Sequence, residues 1–126
     1  MTVKEGLLYS KDHEWLKIEG DYAYIGITDY AQKALGAIVY VEVPDVNDYF
    51  DAGDCFGTVE SVKAASDLLM PVAGTITETN ESIDDEPGLV NAEPFGAWMV
   101  KIKSDEGFDT EGLMDAEAYK LFCEEL

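Results

Sequence analysis

The chain has 126 residues, 47% of them hydrophobic, and 27 acidic against 8 basic side chains give it a net charge of −19. That hydrophobic fraction supports a packed core within one domain spanning residues 1–126 and excludes wholesale disorder. So acidic a surface repels phosphate backbones and anionic lipid headgroups, which argues against nucleic acid and membranes as partners.

Taken in order, residues 1–12 carry neither an apolar segment nor an arginine-rich amphipathic pattern, so no signal or transit peptide is expected and a cytoplasmic location is. Leu7–Tyr9 and Trp15–Ile18 read as short strands around the polar S-K-D-H-E. Gly20-Asp21 supplies a hairpin turn into a strand over Tyr22–Ile27. Asp29, with Gln32 three residues on, predicts a helix start, and Gly36 its stop in the left-handed conformation. Ala37–Val43 is β-branched and ends at Pro44, a strand with its terminator. The acidic V-P-D-V-N-D-Y-F-D-A-G-D that follows is turn-rich and lacks the spacing of a calcium loop. Thr75–Thr79 and Trp98–Lys103 read as strands, with residues 80–93 as a long acidic loop between them. Asp115 predicts the cap of a last helix with Ala118, Leu121 and Phe122 on one face. Tyr22, Tyr24, Tyr30, Trp15 and Trp98 read as core. Cys55 and Cys123 form no C-x-x-C pair, so free thiols in a reducing compartment are expected. His13, the single histidine, has no partner set for a metal or a catalytic dyad.

The centre of the chain is residues 57–76, G-T-V-E-S-V-K-A-A-S-D-L-L-M-P-V-A-G-T-I. Lys63 lies between the apolar runs Phe56–Val59 and Leu68–Met70, flanked by small Ser61, Ala64, Ala65 and Ser66. A strand–turn–strand arrangement puts its amine in water at a hairpin tip, with room for another protein to close over it. V-K-A-A contains none of the usual turn residues, so periodicity alone supports the turn weakly. Ser61 and Ser66 have no neighbouring base to make either a nucleophile.

E-S-V-K-A-A-S-D around Lys63 resembles the modification site of glycine cleavage system H proteins. The resemblance continues in order through H-E-W (13–15), G-I-T-D-Y-A-Q (26–32), M-P-V-A-G (70–74), P-G-L-V-N (87–91) and A-Y-K-L-F-C-E-E near the end. Two departures stand out: Asn47 occupies a position where lipoyl domains usually have Gly, a mild change, and F-G-A-W before the last strand is one residue shorter than the family's pattern, which bears on the loop near Trp98 and not on the resemblance. The resemblance implies a mainly β fold, a flattened barrel or sandwich of two antiparallel sheets, lipoyl/biotinyl-domain-like, with short peripheral helices including a C-terminal one. It implies a carrier rather than an enzyme, with lipoic acid in amide linkage to Lys63 and no metal. The partners it implies are glycine decarboxylase with pyridoxal phosphate, aminomethyltransferase with tetrahydrofolate, dihydrolipoamide dehydrogenase with FAD and NAD, and a lipoate-attaching enzyme. It also implies that Glu60 and Gly74 are read by the attaching enzyme, and that Glu14 and Asp67 line a cleft for the loaded arm. An H-like relay of lipoyl groups to other systems and an unmodified acidic β-sandwich interaction module are the alternatives.

Overall fold

The computed structural model describes residues 1–126 as nine strands and four helices. The strands are β1 (Leu8–Tyr9), β2 (Glu14–Glu19), β3 (Tyr22–Ile27), β4 (Ile38–Glu42), β5 (Tyr49–Phe50), β6 (Cys55–Ser61), β7 (Ala65–Leu69), β8 (Gly74–Thr79) and β9 (Val100–Lys103). The helices are α1 (Asp29–Leu35), α2 (Glu81–Asp85), α3 (Leu89–Ala92) and α4 (Ala116–Glu124). One six-stranded sheet has the order β1-β2-β3-β9-β8-β5, and a three-stranded sheet has the order β4-β6-β7. All pairings are antiparallel. This is the expected flattened sandwich of two sheets.

Alternation along the strands decides what lies between the sheets. Ala23, Ile25 and Ile27 of β3 meet Ile76 and Ile102 on the larger sheet and Val41, Phe56, Val59 and Leu68 on the smaller one, in a single buried cluster. Burying each of the large aliphatic side chains contributes about 1.5–3 kcal/mol, and none of this burial involves Lys63. A second cluster joins Leu7, Tyr9 and Trp15 to Ala116, Tyr119 and Cys123 of α4. There the Tyr9 and Tyr119 rings stack with centroids 4.5 Å apart.

The turns follow local chemistry. Gly20, at φ 65°, opens the two-residue connection between β2 and β3. Asn47 takes φ 77°, the conformation that its place in the acidic turn requires and that Asn tolerates best after Gly.

Several expectations are corrected. The cap of α1 is Thr28, not Asp29: Thr28 is extended, and its hydroxyl accepts the Ala31 N–H at 3.2 Å. Asp29 instead occupies the first turn, where its carboxylate accepts from the Thr2 N–H and the Gln32 amide. Gly36 does end α1 at positive φ (84°), but its ψ of −159° lies outside the left-handed helical well. Residues 80–93 are not one loop. They hold α2, whose first turn is capped by the Asn80 side chain on Ser82 N–H, and the single turn of α3. Elements of five and four residues are too short to produce a readable period. Asp115 caps α4 through the Ala118 N–H at 2.8 Å, yet the buried face is Ala116, Tyr119 and Cys123, with Leu121 exposed. Stacking of Tyr119 on Tyr9 sets that rotation. The last strand begins at Val100 rather than Trp98, and Tyr22 lies exposed on the outer face of the larger sheet. Cys55 and Cys123 are free thiols.

Candidate functional site

Lys63 sits in the connection of the β6–β7 hairpin, exposed and without an ion pair. The turn signal missing from V-K-A-A is supplied by the residue before it. The Ser61 hydroxyl accepts the N–H groups of Lys63 (3.3 Å) and Ala64 (3.1 Å), while Ser61 N–H donates to Ala64 O at 2.7 Å. A serine side chain thus replaces the conformational freedom of a glycine in closing the hairpin. Its neighbour Val62 donates its N–H to Ala37 O at 3.0 Å, which docks the tip on the segment between α1 and β4. The lysine stem lies over Gly36, where a Cβ would stand 3.5 Å from the Lys63 Cε.

That supporting segment is held from below by Asn91 of α3. Its amide donates to Gly36 O (2.9 Å) and Gln32 Oε1 (2.8 Å), and its carbonyl oxygen accepts the Ile38 N–H at 2.8 Å. P-G-L-V-N ends on this residue, and the sequence carried no hint of what its side chain would bind. Gln32 continues the chain of bonds to Asp29, and Asp29 to Thr2 and Lys33. Although burial pushes the Asp29 carboxyl up, the Thr2 N–H, the Gln32 amide and Lys33 together hold it below the usual carboxylate range.

Glu14 is 2% exposed at the start of β2. Its Oε1 accepts from the Ser10 hydroxyl at 2.7 Å, and its own N–H donates back to that oxygen at 3.1 Å. Burial pushes its carboxyl up to about 8; the Ser10 hydroxyl opposes this, the Asp12 charge adds to it, and the Leu69 backbone N–H offsets part of it. Glu14 is therefore a neutral acid at pH 7, held beside the last residue of β7. The neighbouring His13 accepts or donates to the Tyr119 hydroxyl through Nδ1 at 2.8 Å and stacks on Tyr30. Burial pushes its imidazole down, against the pull of Asp12. Its role here is to seat α4.

Two elements run between Lys63 and Glu14. One is β7, which begins at Ala65 and ends at Leu69, against the Glu14 carboxyl. The other is α1, whose Thr28 N–H donates to His13 O at 3.0 Å and whose end at Gly36 underlies Lys63. At 1.5 Å per residue the path along α1 is about 12 Å.

The other residues singled out in the sequence are placed differently. Asp67 pairs with Thr58 on the outer face of the hairpin, exposed, with no hydrogen bond or ion pair joining it to Glu14. Glu60 is exposed on that same face, opposite Ala65. Gly74 is buried: a Cβ there would stand 2.9 Å from Ile102 Cδ1 and 3.2 Å from Lys103 O, so close packing of β8 on β9 demands glycine. A broad surface depression between Tyr49, Asp51, Lys103 and Asp105 lies away from Lys63.

The comparisons agree with this geometry. Residues 7–126 match the model of the family described as glycine cleavage H-protein. A glycine cleavage system H protein of Thermoanaerobacter sp. (strain X514) is 56% identical over 125 residues, covering 99% of both chains. One of Bacteroides thetaiotaomicron is 50% identical over 121 residues, 95% of this chain and 96% of the other. The crystal structure of an H protein from Mycobacterium marinum superposes with a TM-score of 0.89 at 33% identity, covering 97% of this chain and 99% of that one. The chain belongs to the glycine cleavage H-protein family, the carrier proteins of the glycine cleavage system.

Proposed function

We propose that Lys63 carries lipoic acid in amide linkage, and that the chain moves the aminomethyl group of glycine from the decarboxylase to the aminomethyltransferase on that arm. Dihydrolipoamide dehydrogenase then restores the disulfide. The observation that carries the proposal is an exposed, unpaired lysine on a hairpin tip closed by Ser61, in a chain of this family. A free primary amine fits amide formation. Its neutral form attacks the activated acyl carbon, the N–C bond forms, the activating group leaves with its electron pair, and a proton passes to water. When bound, the dithiolane supplies the reducible S–S bond that accepts the one-carbon unit.

The rest of the proposal concerns residues of this chain. Tethering at Lys63 turns each visit to a partner's active site into a local event at raised effective concentration. An arm folded back along α1 and β7, the two elements that run from Lys63 to Glu14, would be shielded from water where it meets Glu14. Glu14 has no cationic partner of its own, and an entering protonated amine offers it one. The carboxyl would then ionise and form a charge-assisted hydrogen bond, with the Ser10 hydroxyl holding its orientation. Asp67, on the outer face of the hairpin, would act on the arm near its attachment at Lys63. Glu60 and the β8 start at Gly74 are the features that the attaching enzyme would read.

The test is intact mass after co-expression with a lipoate ligase. The wild-type chain should gain one lipoyl group, and Lys63→Arg, which keeps the charge but offers no neutral amine, should gain none. A lipoylated Arg variant would overturn the assignment.

A further inference from the structure

Exposed apolar side chains cluster beside Lys63 on a strongly acidic molecule. Val62 is 72% exposed, Val39 53% and Tyr40 46%. Val39 and Tyr40 lie on β4, one of the two edge strands of the smaller sheet, and the register of β4 against β6 shifts between Ile38 and Tyr40. That bulge turns two consecutive side chains outward where regular alternation would bury one. Tyr40 pairs with Glu60 and Glu42 with Thr58, and Thr58 pairs in turn with Asp67. Three exposed carboxylates, Glu42, Glu60 and Asp67, therefore share a face with the Tyr40 ring. The Val62–Ala37 hydrogen bond holds the apolar group against the lysine turn.

We infer that Val39, Tyr40 and Val62, rimmed by Glu42, Glu60 and Asp67, are the docking surface for the lipoate-attaching enzyme. The inference rests on lipoylation of Lys63. Reach selects the occupant. The attaching enzyme acts on the bare amine, which a lysine stem carries only about 6 Å from its Cα. Its surface must therefore cover the residues beside Lys63. Enzymes that work on the far end of the arm are spared that close approach. Charge sets the partner's chemistry: an apolar patch within a carboxylate rim fits an apolar surface bordered by lysine and arginine. Tyrosine in the centre of such a patch is among the side chains that most often dominate binding. The recognised face thus extends from the lysine hairpin onto β4.

The experiment measures ligase kinetics with purified apo protein, ATP and lipoate. The variants are Tyr40→Ser, Val39→Ser and Glu42→Lys, with Leu121→Ser on α4 as an exposed apolar control. All four positions are exposed, and thermal melts establish that each variant is folded. Tyr40→Ser should raise KM for the apo chain about tenfold with kcat held within about twofold, and Val39→Ser should raise it less. Glu42→Lys should raise KM at low salt and flatten its salt dependence. Leu121→Ser should match wild type. Unchanged KM in folded Tyr40→Ser and Glu42→Lys, with wild type still modified at Lys63, overturns the docking surface alone. No modification of wild type overturns lipoylation and the docking surface together. If the variants leave lipoylation intact but raise KM of the lipoylated protein for the decarboxylase, a later partner uses this face, and the inference is wrong. A wild-type dimer that Tyr40→Ser dissociates would assign the patch to a second copy and overturn the inference in the same way.

Discussion

Glu14→Gln should stabilise the protein without its arm, and the gain should grow with pH. The amide keeps the shape of the side chain and an oxygen for the Ser10 hydroxyl, so packing changes little. What changes is ionisation. The Glu14 carboxyl stands at about 8 in the fold against an ordinary 4.5. Between those values the unfolded chain has lost a proton that the folded chain keeps, so wild-type stability falls as pH rises through this window. The gap, at about 1.4 kcal/mol per pH unit, sets a ceiling on the order of 5 kcal/mol. Relaxation and water entry into a site near the surface reduce that to roughly 2–3 kcal/mol. For a domain of this size the difference is about 8–12 °C in Tm. Melting curves of both proteins from pH 4 to pH 9 would show it: equal near pH 4, separating above pH 5, and parallel above pH 8. A variant less stable than wild type at pH 8, or a difference independent of pH, would refute the picture of a buried neutral carboxyl.

Three further outcomes are expected. Loaded with the one-carbon unit by the decarboxylase and then separated from it, the Glu14→Gln holo protein should release formaldehyde about tenfold faster than wild type. That rate is the low end of a charge-assisted bond's roughly 1.5–3 kcal/mol, and equal decay would reduce Glu14 to a structural acid. Lipoylated and unlipoylated wild type should melt within about 4 °C of each other, since Lys63 contributes no core burial; a molten unlipoylated chain on near-UV circular dichroism would contradict this. Asn91→Ala should cost about 2–3 kcal/mol in chemical denaturation, because Gly36 O and the Ile38 N–H lose their partner, and it should speed hydrogen exchange at Val62 N–H; an effect on stability with no change at Val62 would detach Asn91 from the lysine tip.

The elements with strong local signals were legible in the sequence. β2 and β3 are short, largely apolar runs joined through a glycine turn, and Asp115 sits one residue before its helix. Lys63 was located by the motif around it, while the physical reason for its turn lay in the Ser61 side chain, which has no periodic signature. The buried face of α4 was misread because Ala118, Leu121 and Phe122 fit helical spacing as well as Ala116, Tyr119 and Cys123 do. The distant Tyr9, His13 and Thr28, all of which meet Tyr119, choose between them. Glu14 was singled out by the resemblance alone, since its burial depends on strands paired far along the chain. Asn91 and the bulge at Val39 are likewise products of tertiary contacts.

The central claim, that Lys63 carries the cargo, is tested most directly by following carbon from glycine. Lipoylated protein is incubated with glycine labelled with carbon-13 at its methylene and with the decarboxylase, then digested and mapped by mass. The label should appear on the peptide containing Lys63 and nowhere else, and should leave it when aminomethyltransferase and tetrahydrofolate are added. Label on another peptide, or none on a protein shown to be lipoylated, would contradict a carrier role for Lys63.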